Sequence, residues 1–174
     1  MEIRFDRITP GIQKYNRLMQ WVQETDVSKD TDFQRFYNGF YRMRQRNSVF
    51  YASYYQFFEE HKHNQQLTFE DILRYLYAPT GQIHASFSSK MLATIRPEMP
   101  LWDKFVLQNL NLRAPYSYEK NRLEKVIQLY DQICQWYSTE EARNYLKIFN
   151  QHYPDMDMSN TKKIDWILWG IRAK

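Results

Sequence analysis

The chain has 174 residues, 43% apolar and 17% aromatic, with 24 lysines and arginines, 20 aspartates and glutamates, 4 glycines, 6 prolines and one cysteine. So many large rings exclude a disordered chain, and so few turn residues exclude a sandwich or barrel of many short strands. The lone Cys134 excludes an intrachain disulfide, no run of about 18 apolar residues supplies a membrane span, and a net charge of +4 permits nucleic acid as a partner without requiring it.

The N-terminal MEIRFDRITPG lacks the apolar stretch of a secretory signal; with the single thiol this predicts a cytoplasmic protein. Pro10 suits a first helical position, and Ile12, Tyr15, Leu18, Met19 and Val22 follow at helical spacing. Thr31-Asp-Phe-Gln34 reads as a capping box ahead of an aromatic stripe, Phe33, Phe36, Tyr37, Phe40 and Tyr41. The run Arg42, Arg44 and Arg46 ends this helix, where cations suit the dipole; with Arg35 it would also serve as a phosphate-contacting patch on DNA. Asn47 or Ser48 starts a third helix with Phe50, Tyr54, Phe57 and Phe58 on one face. Rings on one face at helical period are expected to be core, because a base-stacking platform needs exposed rings.

After a polar connection at 61–66, Thr68 caps a short helix with Phe69, Ile72, Leu73 and Leu76 inward. Pro79 and Gly81 break it, and two helices follow over residues 84–96 and 100–111. Ser117 is the expected N-cap of a long helix carrying Leu123, Val126, Ile127, Tyr130, Ile133 and Cys134. Ser138-Thr-Glu-Glu141 reads as a second capping box before Tyr145, Leu146 and Phe149. Asn160 or Thr161 opens a last helix with Ile164, Ile167, Leu168 and Ile171, and a second basic cluster, Lys162, Lys163, Arg172 and Lys174, lies at this end. The expected fold is all-α, a single domain over residues 1–174, built as a compact orthogonal bundle of about nine helices.

Two charges stand out in SSKMLATIRPEMPLWDKFVLQNL, residues 88–110. Pro100 suits the start of the second helix, which puts Asp103 in its first turn. There the dipole and the free backbone N–H groups stabilise an acid by about 0.3–1 kcal/mol. At about 100° per residue, Asp103 projects between Val106 and Leu107, and a carboxylate in an apolar arc needs a partner or a cleft. Lys90 borders the apolar side of its own helix, which Phe87, Met91 and Ile95 centre. Its stem can carry the amine to solvent, or the apolar surface can lower its pKa until the amine is a nucleophile. A short turn joins the two helices, so both groups could face one cleft.

No Gly-rich phosphate loop, G-x-S-x-G or H-E-x-x-H motif occurs. Glu59 and His63 share a helical face, but two ligands do not make a metal site. Neither cofactor nor metal is therefore expected, and Cys134 is expected to be packing.

The order of a lysine, a short proline-containing turn and an acid opening a helix, as in SSKMLATIRPEMPLWDKFV, resembles the catalytic segment of the helix-hairpin-helix DNA glycosylase superfamily. The stretch is also similar to a set of uncharacterised bacterial proteins with an SK…P.WD..V segment and a final helix ending D..LW, here Asp165-Trp-Ile-Leu-Trp169. The similarity covers residues 84–112 and, more weakly, the last helix. It implies a glycosylase-like scaffold, DNA as partner, and a damaged or modified base flipped from the stack into a pocket. It further implies Lys90 as the nucleophile at the anomeric carbon and Asp103 as the carboxylate that supports positive charge on the sugar. The family's hairpin is glycine-rich and grips a DNA phosphate through backbone amides. Here the equivalent HASFSSK has no glycine, the gap from Lys90 to Asp103 is short, and one cysteine excludes a four-cysteine iron–sulfur site. The alternative expectation is a non-enzymatic helical interaction module, with Lys90 a solvated amine and Asp103 a helix cap.

Overall fold

The computed structural model describes residues 2–171. Among them nine helices follow one another: α1 (Phe5–Glu24), α2 (Thr31–Phe40), α3 (Ser48–His61), α4 (Phe69–Tyr77), α5 (Ala85–Ile95), α6 (Lys104–Asn109), α7 (Arg122–Trp136), α8 (Glu140–His152) and α9 (Asn160–Gly170). The fold is a compact all-α bundle, and the described residues hold no strand. A single antiparallel bridge ties Ile3 to Ile171.

Side-chain oxygens start most of these helices. Asn47, one of the two candidates the sequence offers, accepts from the Phe50 N–H, and Thr68 caps α4 as the sequence predicts, in a reciprocal capping box with Asp71. Elsewhere the cap lies one residue from the expected position. Asp30 caps α2 through the N–H groups of Asp32 and Phe33, Thr139 caps α8, and Ser159 caps α9. In each case neighbouring residues all carry a capping oxygen, and tertiary packing selects among them.

Three expected boundaries are corrected. Pro10 lies inside α1, which begins five residues earlier because Ile8 is fully buried and Phe5 stacks on His152 at 3.8 Å; the proline removes only the intrahelical bond to the Asp6 carbonyl. Ser117 caps nothing: α7 begins at Arg122, after Asn121 takes a left-handed φ of 55°. Arg42, Arg44 and Arg46 lie beyond the end of α2, in the connection to α3, and Arg42 itself has a φ of 48°.

α5 is the centre of the bundle. Every residue from Phe87 to Ile95 is buried, so the helix has no solvent face for Lys90 to border. Its hydroxyls are used internally: Ser88 Oγ donates to the His84 carbonyl at 2.9 Å, while Ser89 Oγ accepts the Trp102 N–H at 2.9 Å. The tyrosines of α2 and α3 hold it from outside. The Tyr54 hydroxyl donates to the Phe87 carbonyl at 3.0 Å, and Tyr41 hydrogen-bonds Thr94 at 3.2 Å. Phe33, Tyr37, Tyr54, Tyr55 and Phe58 are fully buried around these bonds. Each such ring removes enough apolar area from water to contribute about 1.5–3 kcal/mol.

A second apolar cluster joins α1, α8 and α9 through Ile8, Ile12, Tyr15, Phe149, Trp166 and Ile167. The approach of α9 to α1 depends on Gly11, where a Cβ would lie 2.7 Å from the Trp166 indole.

Candidate active site

α1, α2, the start of α5, the turn before α6 and the inner face of α9 enclose a cleft of about 1470 Å³. That exceeds a typical small-molecule pocket of roughly 300–1,000 Å³. Its charge is one-sided. Ten basic residues line it (Arg7, Lys14, Arg35, Arg42, Arg44, Arg46, Lys90, Lys104, Arg113 and Lys162) against three acidic ones, Asp6, Asp103 and Asp165. The whole chain is nearly balanced, at 24 against 20, so the cations are concentrated here. Low-dielectric walls lined by one sign of charge focus the field and raise the local concentration of anions.

Lys90 and Asp103 both line this cleft. Lys90 is only 8% exposed. Burial brings its amine down to about 8, and the nearby Asp103 carboxylate limits the fall. An amine with that pKa is substantially neutral in mildly alkaline solution and carries a free lone pair. Asp103 is held rigidly: it is the N-cap of α6 and accepts the Val106 N–H at 2.9 Å. Residues 100–102 form a turn outside the helix, so Pro100 does not open it. The turn is latched to α5 by the bond from Trp102 to Ser89, one residue before Lys90. Ser89 thus sets the lysine's helix and the aspartate's turn against each other.

α9 adds a second charged pair that the sequence reading passes over. Lys162 and Asp165 are both buried, one turn apart on the face that lines the cleft. The Lys162 amine lies 4.7 Å from the centre of the Tyr15 ring and 5.3 Å from that of Trp166, contacts that favour its charged form. Burial lowers its pKa, and the Asp165 and Asp103 carboxylates act against this. Burial also raises Asp165 to about 6, opposed by Lys162 and by a hydrogen bond from the Tyr137 hydroxyl. The sequence does hold a signal: Asp165 is a lone acid between Ile164, Trp166, Ile167 and Leu168, and a fully buried acid is rare unless paired.

Four buried side-chain atoms among the described residues lack a hydrogen-bond partner: Arg46 Nε, His84 Nε2, Asp165 Oδ2 and Trp166 Nε1. All four belong to residues lining the cleft. Buried polar atoms are nearly always satisfied, and these four cluster at the cleft. His84 sits against Phe50 at 4.7 Å, and burial with the neighbouring Arg46 charge lowers its pKa.

The arginines expected to contact phosphate come to the same place. Arg35, Arg42, Arg44 and Arg46 all line the cleft. Arg35 also pairs with Asp32 at 2.9 Å, and Arg46 lies over the Phe87 ring at 4.9 Å. The second basic cluster does not assemble there as a unit. Lys162 lines the cleft, Lys163 donates to Asn150 at 2.9 Å, and Arg172 and Lys174 lie outside the described residues. Cys134 is half-buried against the core, and burial raises its thiol to about 11. Such a thiol is a poor nucleophile.

Among the described residues no helix is long and apolar enough to cross a membrane. No family model matches the chain, and no curated protein or solved structure matches it.

Proposed function

We propose that the chain binds DNA in its basic cleft, on a DNA-glycosylase-like helical scaffold, and acts on a damaged or modified nucleotide through Lys90 and Asp103. The observation that carries this is that a buried lysine, Lys90, and a capping carboxylate, Asp103, line one cleft whose walls carry ten basic and three acidic residues. Phosphates would meet the arginines and lysines along the cleft. The amine and the carboxylate meet the chemical needs of attack at a sugar carbon: a lone pair to form the bond, and a negative charge beside the positive one that develops.

At an abasic site the amine adds to C1′ of the ring-opened sugar, and loss of water leaves a protonated Schiff base. Asp103 stabilises that cation. Borohydride then delivers hydride to the imine carbon and fixes the link as a secondary amine. The test is therefore borohydride trapping with an oligonucleotide carrying an abasic site, beside Lys90→Ala. A trapped adduct that disappears in the variant supports the proposal. Absence of any adduct, together with a blank DNA titration at low salt, would overturn it and leave a helical interaction module in which Asp103 is only a cap. If DNA does bind, affinity falls steeply with salt, because each phosphate contact releases counterions.

A further inference from the structure

The connection between α6 and α7 holds three stacked groups. The Arg113 guanidinium lies 4.0 Å from the centre of the Tyr116 ring and its Nη1 donates to the Tyr116 hydroxyl. The Tyr116 and Tyr118 rings then stack at 5.2 Å with 12° between their planes. The stack ends in solvent: Tyr118 is 78% exposed and Tyr116 44%. Tyr75, exposed on α4, differs, because its ring packs on Phe57 at 4.2 Å and its hydroxyl bonds Ser53.

The segment is braced. The Tyr116 N–H donates to Glu119 at 2.7 Å, Glu119 pairs with Lys125 at 2.8 Å, and Arg122 reaches the Pro115 carbonyl at 3.3 Å. The backbone that carries Tyr116 is thus fixed before any ligand arrives, and Tyr118 stacks on that ring, which lowers the entropy that binding must overcome. The inner end of the stack is part of the site already described, since Leu112, Arg113 and Ala114 line the cleft.

We infer that this stack is a nucleobase platform at the mouth of the cleft. The outer face of Tyr118 takes an unstacked base of the bound strand, with Tyr116 and Arg113 behind it. The inference rests on the proposed binding of DNA in the cleft and adds to it where a base is held. A rigid aromatic face joined to a cation-rich groove fits single-stranded nucleic acid, which offers both π-faces and phosphates. A neutral peptide or sugar would make no use of the ten cations next door.

The experiment compares two labelled single-stranded probes of equal length and phosphate count by fluorescence anisotropy at low salt. One is an oligothymidylate; the other carries tetrahydrofuran in place of every nucleoside and has no bases. The protein should bind the base-bearing probe about 5- to 150-fold more tightly, the range expected for stacking one base. Tyr118→Ala should remove that preference while leaving affinity for the base-free probe unchanged, and Tyr118→Trp should keep it. Equal binding of both probes by the parent protein, or a preference that survives Tyr118→Ala, overturns the platform and leaves the cleft reading intact. Failure to bind either probe overturns the platform, and the cleft reading falls with it only if borohydride trapping on the abasic oligonucleotide is also blank. Because Tyr118 is exposed, an unchanged melting temperature verifies that each variant is folded.

Discussion

The Tyr137 hydroxyl donates to one oxygen of Asp165 and leaves the other, Oδ2, buried in the cleft wall without a partner. The carboxylate is also steadied by the Leu101 backbone and by the Lys162 charge, yet burial outweighs these contacts and its pKa rises from 3.8 to about 6. In the folded protein the protonated form is therefore the better accommodated. The group's contribution to stability is fully present below its unfolded pKa near 4 and is lost as pH rises through about 6, by about 3 kcal/mol in all. Asp165→Asn keeps an oxygen for Tyr137 and cannot ionise. Measured by urea unfolding, its stability relative to the parent should improve from pH 4 to pH 7. A difference that stays flat over that range would show that Asp165 ionises as easily inside the fold as outside it.

Lys90 carries the opposite charge and the same cost. Its pKa falls from 10.5 to about 8, so below pH 8 the fold holds a buried ammonium it would accommodate better as the free amine. That penalty, about 3 kcal/mol, is lifted as pH rises from 8 towards 10.5. Lys90→Met preserves the unbranched stem. It should stabilise the protein at pH 7 by about 1–3 kcal/mol, with the gain shrinking by pH 10, while abolishing borohydride trapping. A variant less stable than the parent at pH 7 would show that the amine supports the fold.

Ser89 links α5 to the turn before Asp103. Ser89→Ala strands the buried Trp102 N–H, a loss of about 1–3 kcal/mol. Hydrogen exchange at the Trp102 amide should accelerate accordingly. If its protection is unchanged, the turn is held by other contacts.

Two glycines make a controlled comparison. Gly11→Ala drives a methyl to 2.7 Å from the rigid Trp166 indole and should cost about 1–3 kcal/mol. Gly39→Ala meets nothing within 4 Å on α2 and should stabilise by about 0.5–1 kcal/mol. Thermal unfolding of the two variants in opposite directions is the expected result; a shared direction would contradict the packing of α9 on α1.

The sequence reading found all the helices because apolar periodicity is local; it brought Thr68 to its cap and narrowed the start of α3 to Asn47 or Ser48. It misjudged Pro10 and Ser117 because packing of Phe5 and Ile8, and the braced 113–121 turn, override local preference. At the site it singled out Lys90, Asp103 and the four arginines. The burial of Lys90 was not legible, since a lysine at the border of an apolar face is wet or dry according to what packs beside it. Lys162 was read as one of a terminal basic group because its aromatic neighbours come from α1 and α9 together. Tyr116 and Tyr118 are not legible as exposed rings, since nothing local separates an exposed ring from a buried one.

The two tyrosine bonds on α5 fall on either side of Lys90, at Phe87 one turn before it and at Thr94 one turn after. A cylinder packed among others keeps two freedoms, sliding along its axis and rolling about it, and two fixed points remove both. A slip of one residue would swing the amine through about 100°, break both bonds and leave the Tyr41 hydroxyl stranded. Phenylalanines at 41 and 54 would fill the same space yet leave that angle undefined. The hydroxyls therefore act as setscrews: they aim a rod, and what they aim is the one amine it carries.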